Sequence, residues 1–243
     1  MNPKTALAVL RGNAWFAGLE PELAEEILRL GHIRRVKNEM LFAVGDEPNG
    51  LFAVLQGEVH ISQNSSEGRR GLLLVASAGA WFGETSPLDG QRRFSEALAI
   101  GTCDLLHLSM SAFHGLTHNS ISNLSAFVRI QCDHYRLAMA HAASLSVLPV
   151  RVRIAQRLIF YARAQRTRGK LGYSVRLSQE VLASSVGISR QALNVHLKRL
   201  ERDGIITVNY AAVDVHKVEE LVNIIKPGGG ALNLVRLPCA GHF

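Results

Sequence analysis

The chain has 243 residues, which is enough for two domains of ordinary size, and its 47% hydrophobic and 19% charged residues exclude a disordered chain. No apolar run approaches the length of a membrane span, so no membrane partner is expected. The three cysteines, Cys103, Cys132 and Cys239, are odd in number and far apart, which excludes a disulfide framework and favours the reducing cytoplasm.

Charge is divided unevenly along the chain, whose net value is +7. Residues 1–148 carry 12 basic and 14 acidic side chains, whereas residues 149–243 carry 15 basic and 6 acidic ones. The second part therefore has the charge expected of a protein that binds a polyanion such as DNA. A basic surface without a polyanionic partner is the alternative that charge alone leaves open.

The first elements in chain order are one short helix and a series of strands. The helix is predicted over residues 19–30, where acidic positions lie opposite an apolar face. Turn signals, among them Gly57 and Gly101, separate the apolar runs that follow. Those runs are residues 51–55, 59–61, 72–75, 97–100 and 105–108. Short strands at this spacing predict an antiparallel sandwich or barrel.

A long helix is predicted next, from about residue 120 to 145, because no Gly or Pro occurs before Pro149. Steps of three and four residues place one set of side chains on a single seam, as in a helix that pairs with a copy of itself. The seam consists of Ile121, Leu124, Val128, Gln131, Tyr135, Ala138, Ala142 and Leu145. A long helix packed on its own β-domain is the alternative.

A second helix is predicted over residues 150–164, followed by a basic loop that contains Arg166, Arg168 and Lys170. Beyond it, the segment SQEVLASSVGISRQALNVHLKRLER, residues 178–202, has the spacing of a helix-turn-helix. Ser178 and Ser189 are expected to cap the two helices, and Gly187 supplies the turn between them. A small hairpin is predicted after residue 204 and would form a wing.

The second helix of this motif carries polar side chains of the kinds that read DNA. The Arg190 fork fits the O6 and N7 acceptors of guanine, and the Gln191 amide fits the N6 and N7 edge of adenine. Side chains placed further along fit phosphate, which positions a protein without specifying sequence. The predicted DNA-binding set is Ser178, Gln179, Ser189, Arg190, Gln191, Asn194, His196, Lys198 and Arg199. An ordinary helical hairpin with a basic face is the alternative.

Residues 178–201 resemble the helix-turn-helix of the cyclic-AMP receptor protein/FNR superfamily of bacterial regulators, with its pattern SQ-x-x-LA-x-x-x-G-x-SR followed by L-K-x-L-E. GDEPNGLFAVLQGEVHIS, at residues 45–62, is similar to the family's β-roll, and GAWFGETSPLDGQRR, at residues 79–93, to its phosphate-binding cassette. The resemblance covers about residues 17–225. Two departures concern the operator sequence: Gln191 stands where the cyclic-AMP receptor protein has Glu, and Val195 stands where a second family Arg commonly reads a base.

The resemblance implies an α+β fold with four segments in order. These are a cyclic-nucleotide-binding-like β-roll (jelly roll) over residues 1–118, a dimerisation helix over 119–148, a winged helix-turn-helix over 149–225 and a tail over 226–243. It also implies a homodimeric transcription regulator that binds double-stranded DNA and, as an activator, RNA polymerase. The tail, with three consecutive glycines after Pro227, is typical of a linker with a weakly structured end.

By the same resemblance, Glu84 would accept a hydrogen bond from a ribose 2′-hydroxyl, and Arg93 would pair with a cyclic phosphate. Phe94 occupies the place of a Ser or Thr that donates to the phosphate, and Ala138 and Met139 occupy the places of a Thr-Ser pair that binds adenine. The full candidate pocket is Gly83, Glu84, Thr85, Arg93, Phe94, Ala138 and Met139. These departures argue against cyclic AMP, leaving another effector or none.

Ten histidines invite a metal or haem interpretation. His114 and His118 are four residues apart on a predicted helix, and His134 and His141 lie on the long helix near Cys132, but neither pair has a third ligand at a known spacing. No metal site is predicted, and no cofactor is certain. No catalytic constellation is evident either, so no enzymatic activity is expected. The rival function is a sensor of a cyclic nucleotide, haem or other small molecule that does not use DNA.

Overall fold

The computed structural model describes residues 3–64, 70–165, 173–210 and 212–226. The described residues cluster into two compact units, one up to Tyr135 and one from Arg136 onward, here called the first and second units. The basic loop predicted around Arg168 and the tail from Pro227 lie outside the described residues. None of the helices in the described part of the chain is long and apolar enough to cross a membrane.

Three helices open the first unit: α1 (Pro3–Leu10), α2 (Ala14–Ala17) and α3 (Pro21–Leu30). The predicted helix over residues 19–30 corresponds to α3, which begins two residues later because Pro21 occupies its first turn. The helices α1 and α2 were not predicted. The side chain of Asn13 caps α2 by accepting from the backbone N–H groups of Trp15 and Phe16.

An antiparallel six-stranded sheet follows, in which the order β1-β6-β3-β4 is completed by β2 on β6 and by β5 on β3. The strands are β1 (His32–Lys37), β2 (Met40–Phe42), β3 (Leu51–Asn64), β4 (Arg70–Ser77), β5 (Trp81–Phe82) and β6 (Glu96–Leu108). The long pairing of β3 with β6 runs from Leu51 opposite Leu108 to Ser62 opposite Glu96. The predicted β-roll is thus the centre of the first unit.

Two predicted turns are wrong, since Gly57 and Gly101 lie inside the continuous strands β3 and β6. The backbone at Gly57 has φ +91°, and the pairing with β6 shifts register on either side of Gln56. A Cβ at Gly57 would lie 2.8 Å from the carbonyl oxygen of Thr102. These glycines therefore allow a bulge in a long strand, which turn statistics alone cannot distinguish from a chain reversal.

The first unit has two hydrophobic clusters. One packs the aromatic rings of Phe42, Phe52 and Phe82 between strands. The other joins the N-terminal helices to the sheet and to a later helix through Trp15, Trp81 and Phe127. The short helices α4 (Thr85–Asp89) and α5 (Met110–Thr117) precede the long helix α6 (Ile121–Val147). The long helix was predicted correctly to within about two residues at each end.

The second unit contains the rest of α6, then α7 (Val150–Gln165), β7 (Tyr173–Val175), α8 (Gln179–Val186), α9 (Arg190–Arg202), β8 (Ile206–Val208), β9 (Val213–Val215) and α10 (Val218–Ile225). The predicted hairpin is formed by β8 and β9, and β7 pairs with β9 on its other side. This third strand was not predicted. Together these elements form the winged helix-turn-helix that the sequence indicated.

Candidate nucleic-acid interface and ligand cassette

The two helices of the helix-turn-helix begin and end where the sequence predicts. The Oγ atoms of Ser178 and Ser189 each accept a backbone N–H of the following turn at 3.2 Å, from Val181 and Ala192 respectively. Gly187 ends α8 in the left-handed conformation, with φ +68°. A Cβ there would lie 3.2 Å from Cδ2 of a leucine of α6. The turn is thus fixed by both caps and by a close approach that favours glycine.

One face of α9 is buried and the other is open. Leu193, Leu197 and Leu200 are buried against the rest of the second unit. The opposite face exposes four side chains that are predicted to contact DNA. Arg190 and Gln191 lie at the start of α9, and Lys198 and Arg199 lie near its end. Asn194 and His196 are half-buried, as is Gln179, whereas Val195 is 62% exposed. The cationic side chains therefore lie on one accessible helix surface.

One polar contact joins the wing to the end of α9 and another lies within the wing, and sequence reasoning missed both. Glu201 Oε1 accepts the backbone N–H of Val208 at 2.9 Å, and Asn209 Nδ2 donates to Asp214 Oδ2 at 2.8 Å. Tyr210 lies fully exposed between the two strands of the wing. The sequence could have pointed to Tyr210, because this residue follows the first strand of the predicted hairpin. An exposed tyrosine on a wing is suited to contact with a nucleic-acid backbone.

The last turns of α6 contact the helix-turn-helix within the second unit. His141 Nε2 lies 3.0 Å from the carbonyl oxygen of Ser185, which only accepts, so this ring nitrogen carries the hydrogen. Burial, assisted by the positive charges of Arg157 and Arg153, lowers the pKa of His141 to about 4. His141 is therefore a neutral donor at ordinary pH and joins α6 to α8.

The ligand cassette lies in the first unit around α4, where Glu84 is 4% exposed. His134 Nδ1 donates to Glu84 Oε1 at 2.7 Å, and Thr85 Oγ1 donates to Gln131 Oε1 at 2.9 Å. Burial by itself raises the pKa of Glu84, but the charge and hydrogen bond of His134, with the charge of Arg93, outweigh it and leave that pKa below its usual value. Glu84 is therefore an ionised, buried carboxylate.

The other charged member of the cassette, Arg93, also has partners in the protein and is 3% exposed. Its NH1 donates to the carbonyl oxygen of Gly83 at 2.6 Å, and its NH2 donates to Asn49 Oδ1 at 2.5 Å and to the carbonyl oxygen of Gly50. The guanidinium stacks 4.1 Å from the ring centre of Phe42. Burial lowers the pKa of Arg93 to about 10 against the opposing charges of two nearby carboxylates.

The remaining predicted pocket residues are distributed between the two units. Phe94 is 52% exposed and follows Arg93 at the rim of the cassette. Ala138 and Met139 are exposed and belong to the second unit, further along α6. The structure thus brings together four members of the predicted pocket and three residues that sequence reasoning did not place there. The four are Gly83, Glu84, Thr85 and Arg93, and the three are His134, Gln131 and Asn49.

The predicted seam of α6 is accessible along most of its length. Ala126, Phe127 and Ile130 are buried on the first unit, and the indole N–H of Trp15 donates to the carbonyl oxygen of Ala126 at 2.6 Å. Another face of the helix exposes the predicted seam apart from Gln131, which is half-buried through its bond to the cassette. The exposed seam side chains are Ile121, Leu124, Val128, Tyr135, Ala138, Ala142 and Leu145. The alternative of a helix packed on its own β-domain describes the buried face, whereas pairing of the exposed face with a second copy stays a prediction.

The histidines considered as metal ligands have other surroundings. His134 and His141 bind Glu84 and Ser185, and His114 and His118 are exposed around the end of α5. Within residues 3–64, 70–165, 173–210 and 212–226, no group of three or more His, Cys, Asp or Glu side chains is arranged to hold a metal ion. His134 and His141 therefore each have a hydrogen-bond partner among the described residues.

Comparisons with known proteins agree with this architecture. Residues 33–120 match the family model of the cyclic nucleotide-binding domain, and residues 152–224 match that of the Crp-like helix-turn-helix domain. A CRP-like cAMP-activated global transcriptional regulator of Mycobacterium tuberculosis is 26% identical over 209 residues, which are 85% of this chain and 93% of that protein.

Two Thermus thermophilus proteins are similar as well. The transcriptional regulator LdrP is 27% identical over 182 residues, covering 74% of this chain and 89% of its own length. The crystal structure of a CRP-family transcriptional regulator from the same organism superposes with a TM-score of 0.69 at 25% identity and covers 83% of this chain and 99% of that one. These relatives are transcription regulators rather than enzymes.

Proposed function

The chain belongs to the cyclic-AMP receptor protein/FNR family of DNA-binding transcription regulators, and from this premise we propose that it binds, as a homodimer, a two-fold symmetric operator through α9. The observation that carries the proposal is the capped, exposed N-terminal turn of α9, with Arg190 and Gln191 open to solvent. Recognition helices of this motif present their first turn to base edges in the major groove.

The side chains divide into two roles on this surface. Arg190 reads guanine and Gln191 reads adenine, because their forked groups match the acceptor and donor patterns of those bases. Lys198 and Arg199 lie two turns further along α9 and contact phosphates, which positions the dimer without selecting a sequence. The Ser189 hydroxyl accepts the capping N–H group and keeps its own hydrogen for a phosphate oxygen.

The second copy of the chain is the proposed occupant of the seam. Val128 and Tyr135 lie on an exposed stripe that continues over seven turns of α6, and a stripe of that length is suited to a parallel pair of helices. Two-fold pairing would place two α9 helices on half-sites about one helical turn, ~34 Å, apart. The dimer therefore supplies the symmetry that operator recognition needs.

Cyclic AMP is proposed not to be an effector of this protein. Phe94 has no donor for a cyclic phosphate, and Ala138 and Met139 have no side-chain partner for adenine. Each buried polar group of a ligand left without a partner costs about 1–3 kcal/mol. His134 already donates to Oε1 of Glu84 and Arg93 already donates to Gly83, so a nucleotide that used the same atoms would also have to displace these contacts. At a promoter where the dimer activates transcription, RNA polymerase in the cytoplasm is the proposed further partner.

Selection from a random duplex library, without added nucleotide, tests the operator proposal. The expected product is an inverted repeat with half-sites one helical turn apart, and enrichment of a single unrepeated site would contradict it.

Light scattering on V128E tests the seam, because two facing carboxylates in an apolar interface repel. The variant is expected to be monomeric, whereas S122E, at an exposed position of the same helix away from the seam, stays dimeric.

Isothermal titration with cyclic AMP tests the effector proposal. The expected result is no binding at micromolar concentration and no change in operator affinity. One equivalent per subunit bound with low-micromolar affinity, together with stronger operator binding, would overturn it.

A further inference from the structure

We propose that His134 and Gln131 of α6 act as positioning residues that take the place of a bound ligand, holding the cassette helix α4 against α6 so that operator binding needs no nucleotide. This rests on the proposed function for its DNA readout, but the contacts that hold α4 lie entirely in the first unit. His134 and Gln131 are three residues apart and share one face of α6. Their partners, Glu84 and Thr85, are consecutive in the chain at the start of α4.

The two contacts form a short, largely water-excluded clasp. The side chains of Glu84 and His134 are 5% and 21% exposed, and the bonds measure 2.7 Å for this pair and 2.9 Å for Thr85 with Gln131. A hydrogen bond to an ionised carboxylate is stronger than one between neutral groups, and low local polarity strengthens it further. Breaking the pair leaves a buried charge uncompensated, so the clasp resists opening.

The neighbouring cation does not replace His134. The terminal nitrogens of Arg93 donate to Gly83, Gly50 and Asn49, and its face is covered by a phenylalanine ring. Arg93 therefore stabilises Glu84 by charge at a distance while His134 makes the direct bond. A ligand hydroxyl that donated to the same oxygen, Oε1 of Glu84, would have to displace the imidazole ring of His134.

The clasp is connected to DNA reading by a single continuous helix. His134 and Leu145, the latter near the C-terminal end of the helix, both belong to α6 and are 11 residues apart in the chain. At that end, within the second unit, His141 donates to Ser185 and Leu145 lies against Gly187 in the turn of the reading motif. Holding α6 at His134 therefore limits the rotation and fraying of the segment that carries both the seam and the contacts to α8.

The experiment compares four variants of the full-length protein without added nucleotide. H134L removes the donor, and H134N restores an amide N–H at the position of Nδ1. T85V removes the bond to Gln131 with little change of shape. As a control, H118L makes the same histidine-to-leucine change at an exposed position of the same unit. Two quantities are measured well below the melting temperature: the Kd for the selected operator and the amide hydrogen exchange of residues 84–90.

H134L is expected to weaken operator binding about tenfold or more and to accelerate exchange in residues 84–90 by a similar factor. H134N recovers both to within about threefold, T85V gives a smaller change in the same direction, and H118L matches the wild type. A loss in H134L that H134N does not restore would overturn the proposal, since it would indicate a packing role for the ring. Unchanged exchange in both H134L and T85V would also overturn it.

Failure of the proposed function gives a different result. In that case the wild-type protein selects no operator at all, while the exchange comparison still decides whether the clasp holds α4. If the wild type binds its operator and H134L exchanges faster yet binds equally well, the connection from clasp to operator is wrong although the operator proposal stands.

Discussion

The cassette around α4 and the reading surface of α9 use the same kinds of charged side chain in opposite ways. Arg93 is buried and has its terminal N–H groups directed at main-chain carbonyls and an amide, whereas Arg190 on α9 is exposed. A buried cation must be paired within the protein, because unpaired burial carries a large desolvation cost. An exposed one keeps its donors available to an incoming polyanion.

The difference indicates which surface is built for a partner and which is built for internal contacts. In the cassette, Glu84 and His134 form a pair whose loss destabilises the fold. On α9, Lys198 and Arg199 extend from the open face of the helix, so their substitution is expected to leave folding nearly unchanged and to weaken the proposed DNA binding. Substitutions in the two regions should therefore separate stability from DNA affinity.

The largest effect is expected from E84L in the cassette. Removing the carboxylate takes away the acceptor that His134 binds and one of the two carboxylate charges near the buried Arg93, at an expected cost of about 3–5 kcal/mol in the free energy of unfolding. Urea denaturation of the first-unit transition measures it. The matched variant E26L removes a solvent-accessible carboxylate paired with Arg29 and is expected to leave the urea midpoint nearly unchanged. Equal losses of stability in E84L and E26L would show that the buried carboxylate contributes no more to the fold than an exposed one.

A smaller effect, on binding alone, is expected from R190A. Loss of the guanidinium is predicted to weaken binding to the selected operator by about 1–3 kcal/mol, or roughly 5- to 150-fold in Kd, and to relax preference at one G·C pair. Competition binding against single-base variants of the operator measures both quantities, with R29A in the first unit as the control. An unchanged ranking of sites would show that another residue reads that base pair.

K198A removes a proposed phosphate contact rather than a proposed base contact. All sequences are expected to bind a few-fold more weakly, and the slope of log K against log salt is expected to fall by about 0.9. Titrations at several salt concentrations give this slope. A loss confined to the preferred operator would instead assign Lys198 to base reading.

The smallest effect is a pH dependence of the second unit that depends on His141. Burial holds the pKa of this ring at about 4 in the folded protein, whereas an unfolded histidine titrates near ~6.5. Because the folded pKa is the lower one, the stability contribution is complete above about pH 6.5 and is lost as pH falls toward 4. Since the ring is partly open to solvent, the loss is expected to stay near ~1 kcal/mol or less.

H141Q tests this dependence, because its amide can still donate to Ser185 without titrating. Urea midpoints of the second-unit transition at pH 7 and pH 5 are expected to differ less in H141Q than in the wild type. An equal difference in both proteins would assign the dependence to other groups.

Much of the reading surface was predictable because its signals are local. Ser178, Gly187 and Ser189 fix two caps and a turn within twelve residues, and hydrogen bonds between near neighbours realise them. The long helix was predictable for the same reason, since its apolar period and its lack of Gly and Pro are properties of one segment. The cassette was recognised only by its resemblance to a family motif.

What the sequence by itself determined was therefore the family, the order of the elements and the polar face of α9. The tertiary structure decided that Gly57 and Gly101 lie inside long strands rather than at chain reversals, because the outcome depends on the pairing strand. It also decided that His134, 50 residues from Glu84 in sequence, donates to that carboxylate. Contacts at such separations depend on how helices and sheets pack, and no local pattern of residues encodes them.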